Sequence, residues 1–365
     1  MENETDLPNE NLSENRKKII LKGLTLSELK DYFQSRNLQK FRGEQFFYWL
    51  YNHLSTDLDE MSNIPKTIRN EIRDEIELQT LDYFHSEQSE LTKTKKYIFT
   101  TKDNLKIESV IIPETDRTTL CISTQVGCPL DCQFCATGLM GYKRNLSSGE
   151  IFDQYMLAAK DWGKDKITNI VYMGMGEPLL NYQNTLKSLK IFSHEITKAI
   201  SIRKITVSTA GIAPKIKELA DSEIKVKIAL SLHSCSEDMR SKLMPINQKY
   251  SLKENLMAVR YYAKKTGTRI TFEYMMLKDL NDTEEDVNAL VKICKEIPSK
   301  INVIPFNSLK HMNPSGFASR LESTPKDKID DFVRKLRDRN ITVMVRQTQG
   351  DDIAGACGQL ANKLL

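Results

Sequence analysis

The chain has 365 residues, an apolar fraction of 40% and a net charge of +4 from 53 basic and 49 acidic side chains. That length supplies a sizeable core and excludes disorder along the whole chain, while so small a charge tolerates an anionic partner without arguing for one. No run reaches the roughly 18 apolar residues of a membrane helix, and the acidic start Met1–Glu14 lacks the basic and apolar regions of a signal peptide, so the expectation is a cytoplasmic protein with no membrane partner.

Residues 1–18 are almost wholly polar, and a disordered tail is expected over 1–20. A small helical domain is expected over 21–80. Ser27 is placed to cap its first helix, Phe41–Leu50 spaces aromatics for a second, and Met61–Ile76 carries Pro65 near the start of a third. Its Lys40, Arg42, Lys66 and Arg69 read either as a basic face or as ordinary solvated surface. Over 81–114 the period shortens to two, and KKYIFTT and LKIESVIIP, joined at Asp103-Asn104, predict a β-hairpin linker. From 115 to 345, apolar runs at 118–124, 167–174, 204–211, 226–233, 269–277 and 301–307 alternate with helical runs. Such alternation predicts an α/β fold with parallel strands, a barrel or part of one. Chemistry in these folds collects where strands end, and Gly176, Glu177, Ser208, Ser231, His233 and Asn307 all fall there. Residues 346–365 form a separate C-terminal segment.

Seven cysteines in a chain without an export signal point to metal or redox chemistry. The segment CPLDCQFC sets Cys128, Cys132 and Cys135 at C-x3-C-x2-C. Three ligands are one short of a structural zinc site. A 4Fe–4S cluster held by three cysteines leaves one iron open, which is what S-adenosylmethionine (SAM) needs if it is to be cleaved to a radical. The alternative is a zinc ribbon, although no second Cys/His pair is spaced to complete one. Taken singly, the strand-end residues also have plain readings. Glu177 suits a helix N-terminus, Ser208 and Ser231 are common strand-end hydroxyls, His233 fits a satisfied core histidine, and Asn307 fits a turn cap. Their arrival at the same edge as the triplet favours a shared site.

The triplet, with Phe134 before its last cysteine and ATG after it, resembles the radical SAM superfamily. GMGEPLLN (174–181), VSTAGI, SLHS, RSKLMPIN (240–247), GDDIAGACGQL (350–360) and the FRGEQFFYWLY helix resemble the RlmN/Cfr family of RNA adenine methyltransferases, over about 24–360. The resemblance implies a partial parallel (βα) barrel of the radical SAM type with a small N-terminal helical domain and a β-hairpin extension. It implies methylation of adenosine C2 in 23S rRNA and in tRNA beside the anticodon, two SAM being consumed per product. In that scheme Cys128, Cys132 and Cys135 hold the cluster, and Gly176, Glu177, Ser208, Ser231, Leu232, His233 and Asn307 bind SAM. Cys357 carries the methyl group, Cys121 resolves the Cys357–RNA link through a transient disulfide, and Glu108 accepts the C2 proton. From the residues alone, Cys357 also reads as a small side chain packed between glycines, and Glu108 as an edge-strand carboxylate facing water. Cys235 and Cys294 read as packing residues. The resemblance further implies a monomer served by a reductant such as flavodoxin or ferredoxin, with RNA gripped by the helical domain and by Lys93, Lys95 and Lys96. Two rivals stay open: a Cfr-type C8 methyltransferase with the same cluster and both cysteines, and a non-catalytic metal-stapled RNA-binding protein.

Overall fold

The computed structural model describes residues 18–197 and 199–361. Most of the expected tail, 1–17, lies outside them. Its end does not behave as a tail: Ile19–Ile20, two β-branched residues, forms a short strand paired in parallel with Ile76–Glu77. The helical domain consists of Leu26–Ser35, Phe41–Tyr51 and Lys66–Ile72. Thr25, not Ser27, caps the first helix, because Glu28 sits three residues on and returns the bond by accepting the Thr25 N–H at 2.7 Å. The third helix is shorter than expected because Ile64, preceding Pro65, is disfavoured in the helical region. Phe46, Phe47, Leu50 and Tyr51 bury one face of the second helix against Phe33 and the main core.

A buried pair fastens this domain to the rest. The Lys22 ammonium donates to the Leu50 carbonyl at 3.0 Å and lies 3.8 Å from the Asp153 carboxylate, inside the helix Ser148–Trp162. Asp153 in turn accepts the Thr80 N–H and hydroxyl at 2.5 and 2.6 Å. Burial holds Lys22 down at about 8 and pushes Asp153 up, each opposed by its partner's charge. The backbones touch here too: a Cβ on Gly23 would collide with Gly149.

The main sheet has ten strands whose spatial order follows the chain. Strands β1 (Leu81–Gln88), β2 (Lys95–Thr101) and β3 (Lys106–Pro113) are antiparallel. Strands β4 (Thr118–Cys121), β5 (Asn169–Tyr172), β6 (Ile205–Thr209), β7 (Lys227–Ser231), β8 (Ile270–Met276), β9 (Ser299–Pro305) and β10 (Val343–Val345) run parallel, and helices pack between them. The expected hairpin is thus a three-stranded extension continuous with the sheet. Strand β1 escapes a sequence reading because LDYFHSEQ is mostly exposed, and β10 because it is three residues long.

Among the described residues no pairing joins β10 back to β4, so the barrel is partial. The C-terminal segment spans that gap. Arg346 N–H donates to the Val303 carbonyl at 2.8 Å, and the chain then crosses to the extension. There Lys96 donates to the Ile353 carbonyl at 2.6 Å, and Glu108 accepts the Ala361 N–H at 2.9 Å. No helix of the described residues is long and apolar enough to cross a membrane.

Two outcomes follow from the buried pair. Lys22→Ala strands the Asp153 carboxylate and should cost about 3–5 kcal/mol in denaturant unfolding, whereas Lys22→Met, which fills the space, should leave a smaller loss on pairing with Asp153→Leu. Between pH 8 and 10.5 the unfolded chain keeps the Lys22 proton that the folded chain releases, so this group makes stability rise with pH across that window. The difference between wild type and Lys22→Met should trace that rise; parallel stability–pH curves would contradict it.

Candidate active site

The cysteine loop is shaped at both ends by a small antiparallel ladder, Gln125–Gly127 with Tyr142–Asn145. Gly127 has φ 74°, and a Cβ there would strike the Gly141 carbonyl, so only glycine can lead into Cys128. Cys128 N–H then donates to Gly141 and Cys135 N–H to the Cys132 carbonyl, both at 3.0 Å. The loop so folded turns Cys128, Cys132 and Cys135 into one cavity at the top of the barrel. Burial pushes two of the thiols up, Cys128 to about 12 and Cys132 far above its ordinary value, and the neighbouring sulfurs add to both.

Three crowded thiolates need a strongly positive partner. Among the described residues no three His, Cys, Asp or Glu side chains converge as ligands of a single ion would. A 4Fe–4S cluster gives each cysteine its own iron, so its sulfurs need not meet at one point. The donor set suits that group.

The strand-end residues gather around the same cavity. Gly176, at φ 96°, has no room for a side chain against Gln125. Glu177 is buried; its carboxylate accepts Leu179 N–H at 2.9 Å and Ala210 N–H at 2.7 Å, and burial raises it to about 7. It therefore ties the loop after β5 to the loop after β6. Ser208, Ser231 and His233 also line the cavity. His233 is held to about 3 by burial and by Arg240, so it is neutral; its Nδ1 accepts the Met275 N–H at 3.0 Å, which puts the proton on Nε2. Its ring meets Phe134 edge-on at 4.6 Å.

Two expected SAM residues stand apart. The Leu232 side chain is fully buried outside the cavity lining, and only its backbone participates, the N–H donating to Glu273 and the carbonyl accepting from Arg240. Asn307 lines a second, lower cavity, where its amide donates to the Cys357 carbonyl at 3.0 Å and accepts from Thr348.

Cys357 lies where the two cavities meet. Its loop is bonded directly to the cysteine loop: Ala136 N–H donates to the Gly358 carbonyl at 2.7 Å, and the Thr137 hydroxyl to the Leu360 carbonyl at 2.8 Å. Cys121, at the end of β4, is buried close by; burial raises its thiol to about 12, with Arg346 pulling down and Cys357 pushing up. Both are free thiols in this structure. Glu108 does not face water as an edge-strand carboxylate. It is buried, accepts from Ala361, lies 3.9 Å from Lys96, and lines a different cavity from Cys357. Lys96 is likewise buried, against Glu87 and Ile353, and Lys95 pairs with Asp161 at 2.7 Å, so of the expected RNA-gripping trio only Lys93 stands at an open mouth. Arg69 is turned inward onto the Leu58 and Ile64 carbonyls.

Three site residues escaped the sequence reading. Arg240 is fully buried and its guanidinium holds the carbonyls of Ala210, Ser231 and Leu232 together with the Asn247 side chain. Glu273 and Arg346 wall both cavities beside Cys357. A glutamate in the apolar run RITFEYMML was a visible signal; an arginine after a three-residue strand was not.

Residues 122–291 match the family model described as the radical SAM superfamily, and 19–78 match the ribosomal RNA large subunit methyltransferase N-terminal domain. A probable dual-specificity RNA methyltransferase RlmN of Clostridioides difficile is 42% identical over 348 residues, covering 95% of this chain and 99% of the relative. The dual-specificity RNA methyltransferase RlmN of Geobacter sulfurreducens is 40% identical, covering 95% and 93%. The crystal structure of a radical SAM methyltransferase from Sphaerobacter thermophilus superposes with a TM-score of 0.86 at 38% identity, covering 94% of this chain and 99% of that one.

The role of Arg240 is open to test. Arg240→Ala leaves three buried carbonyls without their donor and should cost about 3 kcal/mol of stability with weakened SAM binding. Arg240→Lys should not restore either, because a single ammonium cannot span the fork. Wild-type denaturation midpoints in both variants would remove Arg240 from this role.

Proposed function

The chain belongs to the RlmN family of dual-specificity RNA methyltransferases, and on that premise we infer that it methylates C2 of a specific adenosine in 23S rRNA and of the adenosine beside the anticodon in tRNA. The observation that carries the reading is the bonding of the Cys357 loop onto the three-cysteine loop through Ala136 and Thr137. That contact supports a reading in which a methyl-carrying thiol works beside a radical source, as an unactivated sp² carbon requires.

Cys128, Cys132 and Cys135 hold the 4Fe–4S cluster, and Gly176, Glu177, Ser208, Ser231 and His233 wall the space that SAM takes. With both bound, the cluster and SAM would supply the radical that draws a hydrogen atom from the methyl carbon of an S-methylated cysteine. Cys357 is the nucleophile that first accepts the methyl group, and Arg346 opposes the burial that would keep its thiol protonated. Asn307 fixes the Cys357 carbonyl and so the direction of the thiol. Cys121 resolves: its thiolate bonds to the Cys357 sulfur as the bond from that sulfur to the RNA-borne carbon breaks, and the electron pair passes to that carbon, which takes up a proton to become the methyl group. A reducing partner such as flavodoxin or ferredoxin supplies the electrons that SAM cleavage and the disulfide need. Because C2 lies on the Watson–Crick side, the adenosine enters splayed out of its stack. The enzyme is a cytoplasmic monomer in this proposal.

The direct test incubates anaerobically reconstituted enzyme with methyl-labelled SAM and ribosomal or transfer RNA, then separates the nucleosides. Labelled 2-methyladenosine is expected; 8-methyladenosine would establish the Cfr-type rival, and no methyladenosine with bound zinc would establish the non-catalytic one. Any single Cys→Ala change in the triplet should remove most iron and all SAM cleavage.

Glu108 separates two roles. Glu108→Gln still accepts the Ala361 N–H but cannot take a proton. If Glu108 is the proton acceptor, methylated RNA should fall by about 10²-fold or more while methylated Cys357 still forms. Undiminished turnover would leave Glu108 as the anchor of the C-terminal segment alone.

A further inference from the structure

The second cavity occupies the lower half of the barrel lumen. It holds about 830 Å³, within the range of about 300–1,000 Å³ usual for ligand sites, and meets the upper cavity at Cys357. Strand register explains its lining. Inward positions at this level are Thr119, Asn169, Thr206, Lys227, Thr271 and Lys300, with Thr206 beside Lys227 and Thr271 beside Lys300 in the parallel ladders. A parallel barrel ordinarily fills this level with branched apolar side chains. Here it is hollow and polar.

Its charges are unevenly matched. Arg117, at the mouth, is paired with Glu114 at 2.5 Å, and Arg346 lies by Glu273. Among the described residues the side chain of neither Lys227 nor Lys300 has a hydrogen bond or an ion pair within 4 Å. Burial pulls Lys300 below the ordinary lysine value, and Lys227, Arg269 and Arg117 pull it further, against Glu273 alone. Lys227 is exposed and Lys300 half-buried, and ammonium groups that repel one another across such a rim are stabilised by an anion lying between them. The surrounding hydroxyls and amides match ribose hydroxyls and the Watson–Crick edge of a base, an edge that single-stranded RNA leaves free and a duplex engages.

We propose that the lower lumen is the entry for the target nucleotide: a single-stranded RNA segment whose phosphates rest on Lys227 and Lys300 while its base reaches Cys357 at the waist between the cavities. This deepens the methyltransferase reading and rests on it. It moves the phosphate contacts from Lys95 and Lys96, which the fold keeps for itself, to strands β7 and β9.

The test compares reconstituted holoenzymes: wild type, the double variant Lys227→Gln/Lys300→Gln, the double variant Lys227→Arg/Lys300→Arg, and a control, Lys253→Gln/Lys264→Gln, which removes two exposed charges from the helix Leu252–Thr266. The probe is a stem–loop RNA with an adenosine in its loop, and its affinity is measured against salt. Loss of two phosphate contacts should lower the salt slope by about 1.4 in the glutamine variant, with the arginine variant and the control keeping the full slope. SAM-dependent methylation of Cys357, read by peptide mass spectrometry without RNA, should be equal in all four. An unchanged slope in the glutamine variant, or an equal fall in the control, would overturn the proposal. A wild type that binds the probe with a lumen-dependent slope yet forms no methyladenosine would defeat the methyltransferase reading and still support the lumen as an RNA site.

Discussion

Everything in the active site depends on one long-range closure, the docking of the C-terminal segment onto a loop 223 residues earlier. The bonds that make it, Ala136 N–H to Gly358, Thr137 to Leu360 and Asn307 to Cys357, all end on backbone carbonyls of the segment. They fix where the chain runs while leaving the Cys357 side chain unencumbered. The segment bends through left-handed positions at Gly350, Ala354 and Gly358. A non-glycine residue held in that region stores strain that the surrounding contacts must offset. Glu108 and Lys96 supply such contacts from the far side. The barrel is left open between β4 and β10, and the segment occupies that opening, so the same backbone path that completes the fold carries the reacting thiol to the centre.

Electrostatics follow from that closure. Burial raises the thiols of Cys121, Cys128, Cys132 and Cys357, and the counter-charge differs between the two groups of cysteines. Arg240 opposes the crowding of sulfurs at Cys132 in part, and no side chain opposes it at Cys128, which leaves most of the balance to the group they would bind. For Cys121 and Cys357 it is Arg346, which burial would depress but which the two thiols, Glu273 and Glu114 hold above its ordinary value. A guanidinium in that position favours the thiolate of either cysteine, which the proposed carrier and resolver both need.

How much was legible in the sequence follows the distance over which each feature is built. The cysteine triplet lies within one loop, so spacing alone brought its three thiols together without a fourth in that loop. Alternating runs disclosed six of the parallel strands, and the ends of those runs located Gly176, Glu177, Ser208, Ser231 and His233 at one edge. Leu232 entered the set through the family resemblance and Asn307 through its place at the end of a run, yet the Leu232 side chain, one residue past β7, is buried outside the upper cavity, and Asn307 lines the cavity below. Glu108 and Lys96 looked like exposed edge residues because nothing local signals that a segment about 250 residues later covers them. Arg240 was quoted within a motif without a task, since its partners are carbonyls on three separate stretches of chain.

In the proposed reaction Cys357, seated on the three-cysteine loop, passes its methyl carbon to RNA and is freed by Cys121. The most direct measurement is denaturing electrophoresis of Cys121→Ala purified from cells, with and without ribonuclease. Methyl transfer and addition to RNA remain possible in that variant while resolution does not, so a slow-migrating protein band that ribonuclease collapses is predicted, and the adduct should map to Cys357. Free, fully methylated RNA from the variant, with no protein-bound nucleotide, would contradict the account.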